Sequence, residues 1–219
     1  MAYDGELFKG FHPGRPPLLR FFFFESPTLT LGRLEARRLN LSQLPFPHEI
    51  RPTGGWAVLH GAGDLCYSIV ASTSDPFVGG ELLESYRKIS GLLAYALRGL
   101  DREVRLSEEK HPGMEKGHCF SSPSFAELLL NGKKVAGGAQ AREGNTFLQQ
   151  GVILLSLSPE WRNLFPGTAE SPMTGLNEES PLPPLTRRDV ERAVVAAFGE
   201  RGIVFENQNS SQDSPGQGS

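Results

Sequence analysis

Three short blocks of the chain hold side chains whose types and spacing could do chemistry. The first is Arg51-Pro52-Thr53-Gly54-Gly55-Trp56-Ala57-Val58-Leu59-His60, followed by Gly61-Ala62-Gly63. Paired glycines at the start of a strand let a ligand approach backbone N–H groups closely. Arg51 adds a permanent, forked cation suited to a phosphate or carboxylate. A plain glycine-rich strand start with a surface arginine fits the same pattern equally well. The second block, His118-Cys119-Phe120-Ser121-Ser122-Pro123 with Lys116 close by, sets a thiol in a polar, electropositive loop, where thiolate is favoured. Cys66 lies inside the apolar run from Leu65 to Val70 and reads as a small buried hydrophobe. With only these two cysteines and a reducing compartment expected, a disulfide between them is not predicted. If one of them is a nucleophile it is Cys119, the alternative for a lone cysteine being simple packing. The third block runs from Gly132 through Lys133, Lys134, Val135, Ala136, Gly137, Gly138 and Ala139 to Gln140. Successive strand side chains alternate between faces, so one of the two lysines points inward. A buried lysine needs an anion beside it or a role as a neutral base. The bland alternative is that both are solvated, Lys134 extending to water from a sheet edge.

The elements that must position these blocks follow from periodicity and turn chemistry. Leu7, Phe8 and Phe11 predict a short amphipathic helix that Pro13 cuts off. Leu18–Phe24 and Thr28–Leu31 predict two strands, the four phenylalanines at 21–24 being buried on both faces with Arg20 and Glu25 as charged gatekeepers. Strands are expected at Trp56–Leu59 and Leu65–Ala71. Leu83, Tyr86, Ile89, Leu93, Leu97 and Leu100 make a helical stripe. A strand over Phe125–Leu130, an Asn131-Gly132 type I′ turn and a return strand over Lys133–Ala139 form a hairpin. Glu143-Gly144-Asn145 turns it into a further strand, Thr146–Leu155, in a meander that carries the Cys119 loop back toward the sheet. Residues 165–185 read as a long loop. Thr186 with Asp189 resembles a capping box, and the helix beyond it buries Val190, Val194 and Phe198 and ends at Gly202. From Asn207 the chain is polar and aperiodic, so residues 207–219 are expected to be a disordered tail and residues 1–206 one domain. The fold class is α/β (α+β), with mixed, largely antiparallel sheets and flanking helices.

Composition narrows the function. A hydrophobic share of 38% and a charged share of 21% suit a globular domain. A net charge of −3 without a basic stripe argues against nucleic acid. No apolar run approaches the roughly 20 residues that span a bilayer. The acidic opening residues do not read as a signal peptide, so a cytoplasmic protein with no membrane partner is expected. No metal site is predicted.

Taken together, the three blocks resemble the biotin/lipoyl protein ligase family: lipoate–protein ligases, octanoyltransferases and biotin ligases. Arg51-Pro-Thr-Gly-Gly with Ala57-Val-Leu-His60 is similar to its acyl-pocket motif. Asn131-Gly-Lys-Lys-Val-Ala-Gly137 is similar to the segment bearing its invariant lysine, here Lys134. Gly151, Ile153, Leu154 and Leu155 are similar to the strand that follows. Cys119-Phe120-Ser-Ser-Pro-Ser124 with Glu127 resembles the cysteine motif of the octanoyltransferases. The resemblance implies the biotin/lipoyl protein ligase catalytic-domain fold. It also implies transfer of an octanoyl or lipoyl group through a Cys119 thioester, with Lys134 catalytic. Arg51, Thr53, Gly54, Gly55, Trp56, Ala57, Val58, Leu59 and His60, with Gly137, Gly138 and Ala139, would bind substrate. The implied donor is acyl carrier protein or a lipoyl protein. The implied acceptor is a lipoyl-domain protein, such as a glycine-cleavage H protein or a dehydrogenase E2 domain. A transferase needs no cofactor. An ATP-dependent lipoate ligase, needing ATP and magnesium, is the rival within the family, and a non-catalytic lipoyl-domain binder is a third reading. The chain departs from the pattern at Ile50 (often a second arginine), Trp56 (glycine in ligases), and Gln150 and Val152 (histidine and serine in the transferase motif). The Trp56 indole is expected to narrow the pocket.

Overall fold

The computed structural model describes residues 1–108, 125–160, 172–178, 180–203 and 205–207. Helix α1 (Ala2–Gly10) leads into β1 (Leu18–Phe22), β2 (Thr28–Gly32) and the short α2 (Arg33–Ala36). There follow β3 (His48–Arg51), β4 (Val58–His60), β5 (Leu65–Ser72), α3 (Leu82–Arg98), β6 (Val104–Leu106) and β7 (Leu128–Leu130). The chain continues with β8 (Lys133–Glu143), β9 (Thr146–Ile153), α4 (Arg187–Glu200) and β10 (Glu206–Asn207). Seven strands form one sheet in the order β10-β1-β5-β9-β8-β7-β6, and three form a second, β3-β2-β4. All pairings are antiparallel except β1 with β10 and β2 with β3. No helix among the described residues is long and apolar enough to cross a membrane.

Strand alternation sorts the large sheet into two faces. On one, Leu19, Leu65, Tyr67, Ile69 and Ile153 join the apolar stripes of α3 (Ile89, Leu93, Leu97) and α4 (Val190, Val194, Phe198) in the main core. On the other face the register stacks three rows across β1, β5 and β9. Leu18, Val70 and Leu148 form an apolar row against Phe11, Leu7 and Phe8. Arg20, Ser68 and Gln150 form a polar row. Phe22, Cys66 and Val152 form a second apolar row, which joins Val58 and Leu59 of the small sheet.

Local chemistry explains the element ends. Asn131 and Gly132 take φ of 51° and 79°, the left-handed pair a type I′ turn demands. Thr186 and Asp189 close a reciprocal capping box. At the other end of α4, Gly202 takes φ 76°. Its N–H reaches Gly199 O while that of Ile203 reaches Phe198 O, a Schellman termination.

Several expectations are corrected. The phenylalanine run is not one strand buried on both faces. β1 ends at Phe22; Phe23 is exposed beneath the Arg187 guanidinium, and Phe24 turns to stack on His60. Arg20 is no surface gatekeeper, because it is buried and ion-paired at 3.0 Å to Asp4, the one fully buried side chain of α1. Three strands, β3, β6 and β10, carry no alternation that marks them. Phe125–Leu130 is strand only from Leu128, because Ala126 adopts φ 60°. Asn207 pairs with Leu19, one residue into the expected tail; residues 208–219 lie outside the described residues.

The end of β2 presses on the glycine loop so closely that a Cβ on Gly32 would stand 2.0 Å from Gly55 O. Backbone against backbone cannot yield, so Gly32→Ala should cost about 1–3 kcal/mol and lower the melting temperature by roughly 3–10 °C. Gly63→Ala, with nothing within 4 Å of the new methyl, should melt within about 0.5 kcal/mol of wild type.

Candidate active site

Lys134 is the least exposed charged side chain lining a cavity between the two sheets. It is 1% exposed, and Nζ donates to Glu127 Oε1 at 2.6 Å. Two backbone irregularities bring the pair together. Leu128 and Leu129 on β7 face Ala136 and Lys134 on β8, so β8 carries one extra residue. A bulge lets two successive side chains share a face. Val135 and Ala136 both enter the main core, and Lys134 is left on the cavity side with Gly137. Opposite, left-handed Ala126 turns the chain into β7 so that Glu127 points at the amine. Ala126 N donates to Ser107 O and Ser107 N to Glu127 O, fixing that corner. Gly137 closes the arrangement: a Cβ there would lie 2.7 Å from Lys134 Cε and 3.0 Å from Glu127 Oε1. The backbone of Lys134 is also tied to the 172–174 segment, its N–H to Pro172 O and its carbonyl from Thr174 N–H.

The cavity, about 400 Å³, extends from this pair between the two sheets. Its walls include Phe22, Cys66 and Val152 on the large sheet, Thr30, Val58 and His60 on the small one, and Gly54, Gly55 and Trp56 at the glycine loop. It reaches round Gly137, Gly138 and Ala139 to Leu83, Tyr86 and Ser90 of α3. β7 pairs with β8 only as far as Ala136. From Gly137 onward, that edge of β8 has no strand beside it among the described residues.

Of the residues expected to bind substrate, Arg51, Gly54, Gly55, Trp56, Val58, His60, Gly137, Gly138 and Ala139 line the cavity, while Thr53, Ala57 and Leu59 do not. Arg51 is buried. Its Nη1 donates to Thr30 O and Oγ1, both at 2.7 Å, and its Nη2 to Gly54 O at 3.1 Å and Trp56 O at 2.8 Å. The fork that could have met a ligand anion instead shapes the glycine loop, where Gly55 takes φ 91°. Trp56 lines the cavity and is 48% exposed. Cys119 lies outside the described residues.

Gln150 has a definite task. Its Oε1 accepts from Thr53 Oγ1 at 3.0 Å, and its Nε2 donates to Asp4 Oδ2 at 2.6 Å. Asp4 Oδ1 accepts from Arg20 and from Ser68. This buried amide ties α1 to the glycine loop. The sequence marks Phe22, Cys66 and Tyr86 as packing and gives Ser90 no signal, yet all four line the cavity. For Tyr86, the stripe on α3 does not tell core from cavity.

The apolar end holds a neutral relay. His60 Nε2 is 2.8 Å from Thr30 Oγ1, and Nδ1 is 3.4 Å from Cys66 Sγ. Burial, aided by the Arg51 cation, pushes His60 down to about 3. Burial, with the Asp64 and Asp4 carboxylates, pushes the Cys66 thiol well up, so it is inert as a nucleophile. Among the described residues, no three His, Cys, Asp or Glu side chains converge as a metal site.

Two measurements check this electrostatic picture. Glu127→Ala removes the carboxylate that accepts from the buried Lys134 ammonium and should cost about 3–5 kcal/mol in a urea melt. The second is pH dependence. Between pH 6.5 and about 3 the unfolded chain protonates His60 and the folded chain does not, so this stability is complete above 6.5 and lost as pH falls. Asp64, whose Oδ2 accepts from Gly61 N–H, is pushed up by burial from 3.8 to about 7. Its contribution is present below 3.8 and lost as pH rises through 7. The slopes oppose each other. Asp64→Asn should therefore gain stability relative to wild type by about 1.4 kcal/mol per unit as pH rises from about 4.5 to 6.5. Parallel curves would refute it.

The lipoyl protein ligase A/B catalytic domain matches residues 1–199. The octanoyltransferase LipM of Kyrpidia tusciae is 38% identical over 156 residues, covering 66% of this chain and 57% of the relative. That of Geobacillus kaustophilus is 36% identical over 175 residues, covering 73% and 62%. The chain spans a little over half the length of these relatives. Among solved structures, a lipoate-protein ligase A bound with ATP shares 23% identity at a TM-score of 0.74, covering 94% of this chain and 81% of that one. A bi-partite lipoate protein ligase from Thermoplasma acidophilum, described with its E2 lipoyl domain, shares 20% at 0.69, covering 94% and 80%. The structures share the fold, the sequences share more, and the chain belongs to the lipoyl protein ligase A/B catalytic domain family.

Proposed function

We propose that this chain is an acyltransferase that moves an octanoyl or lipoyl group from a carrier thioester, through Cys119, to a lysine of a lipoyl-domain protein. The observation that carries the reading is the Lys134–Glu127 pair, 2.6 Å apart at one end of a largely apolar cavity. The naming of relatives at 36–38% identity as octanoyltransferases supports it. Covalent reach is also compatible: Cys119 is six residues before Phe125, which lines the cavity, and six residue steps span at most about 20 Å.

In the first step the Cys119 thiolate attacks the donor's thioester carbonyl and expels the carrier thiol, giving an acyl-cysteine. One thioester replaces another, so no ATP is needed. In the second step the acceptor lysine's amine attacks that carbonyl, the Cys119 thiol leaves, and an amide forms. The Lys134 ammonium would favour the thiolate and give a proton to the departing carrier thiolate, and the neutral amine so formed would accept the proton of the incoming lysine. Backbone N–H groups near Gly137 and Gly138 or in the Cys119 loop would hold the oxyanion. Burying an eight-carbon tail contributes on the order of 6 kcal/mol at about 0.8 per CH₂. Thr53, Ala57 and Leu59 would act from behind the wall, Thr53 through Gln150. Acyl carrier protein is the proposed donor. A glycine-cleavage H protein or a dehydrogenase E2 domain is the proposed acceptor, an E2 lipoyl domain being the partner named for the T. acidophilum ligase. No cofactor takes part, and the reaction is placed in the cytoplasm.

Octanoyl-acyl carrier protein without ATP should add one octanoyl group to Cys119, seen by intact mass and removed by hydroxylamine. Lys134→Ala should slow transfer by about 10²–10⁴-fold. Lipoyl transfer that requires ATP and survives Cys119→Ser would overturn the proposal in favour of a ligase.

A further inference from the structure

The register of the large sheet carries a second conclusion, which rests on the acyl-transfer reading. We infer that the acyl chain lies across the strands, over the row Gly137–Val152–Cys66–Phe22, and that Phe22 is the end stop that sets its length. Gly137 pairs with Val152, Val152 with Cys66 and Cys66 with Phe22, and all four line the cavity. Three inter-strand steps at about 4.8 Å make the row roughly 14 Å long. It begins beside Lys134, where Gly137 has no side chain, passes two small side chains and meets an aromatic ring. Among the described residues, the sheet continues past β1 only through β10, whose pairing covers Leu18 and Leu19.

The stop is braced. The Arg20 guanidinium lies 4.5 Å over the Phe22 ring. Phe24 meets Phe22 edge-on at 6.1 Å and itself lies 4.9 Å from His60. A ring held from two sides resists displacement by a longer chain, because aromatic and cation contacts must break together. Val58 and His60 form the roof, the imidazole uncharged at neutral pH. On the row's flank, Gln150 is held by Thr53 and Asp4, which keeps an apolar tail from straying under α1. Carbon count is thereby read as the number of strands crossed, with Cys66 the last small position before the stop.

The experiment offers wild type, Phe22→Ala, Phe22→Leu and Cys66→Leu a series of saturated acyl-carrier-protein thioesters from four to fourteen carbons. Cys119 acylation is scored by mass, and melting shifts with the matching free fatty acids are recorded in parallel. Phe22→Ala should raise the dodecanoyl-to-octanoyl ratio by at least about 10-fold, and Cys66→Leu should raise hexanoyl over octanoyl by a similar factor. Phe22→Leu, the milder variant, should shift the profile in the same direction as Phe22→Ala if the larger truncation does not fold. Folded variants with the wild-type length profile in both assays overturn the inference while leaving acyl transfer intact. Length-dependent fatty-acid shifts that follow the variants, with no acylation of any thioester, support the ruler and overturn the transfer reading instead.

Discussion

An ammonium group removed from water must meet a carboxylate, and the site is organised around that requirement. Lys134 lies on β8 and Glu127 just ahead of β7, yet regular alternation would turn the Lys134 side chain away from the cavity. The extra residue in β8 shifts the phase, left-handed Ala126 turns Glu127 inward, and the bare Gly137 leaves room for both. Each device has a cost: a bulge gives up ladder hydrogen bonds, and a non-glycine residue at positive φ is strained. Such devices persist where the surrounding structure over-determines them. Here the Ser107 backbone bonds and the 172–174 segment hold both strands in place.

The rest of the cavity follows from how two sheets face one another. The small sheet cannot bury its inner residues alone, so Val58 and Leu59 close over the apolar row at Phe22, Cys66 and Val152. The neighbouring polar row prevents the two apolar zones of that face from merging. Asp4 accepts from Arg20, Ser68 and Gln150 below the surface, and such a buried charge pair specifies geometry more than it adds stability. Through Thr53, the same network reaches the glycine loop. Arg51 serves that loop too, its guanidinium bonded to the carbonyls of Thr30, Gly54 and Trp56.

Much of this was legible in the residues themselves. Asn131-Gly132 announces a type I′ turn because few other pairs tolerate two positive φ values. The Thr186 cap, the Gly202 stop and the α3 stripe are equally local, and Arg51-Pro-Thr-Gly-Gly and the Lys134 segment carry the family. Side-chain alternation also required one buried lysine, but it could not say which, since the answer lies in a bulge set by pairing with β7. Likewise nothing near Arg20 reveals that its partner is Asp4, and nothing near Gln150 reveals Thr53. Those contacts join residues far apart in the chain, and only strand register brings them together. Trp56 illustrates the same division: an indole beside two glycines is visible in sequence, but how much of it stays in solvent depends on the loop that Arg51 folds. Turns, caps and helix stripes are set within a few residues by φ, ψ and periodicity. The cavity is made of long-range pairings and one phase shift, and only the folded chain determines those.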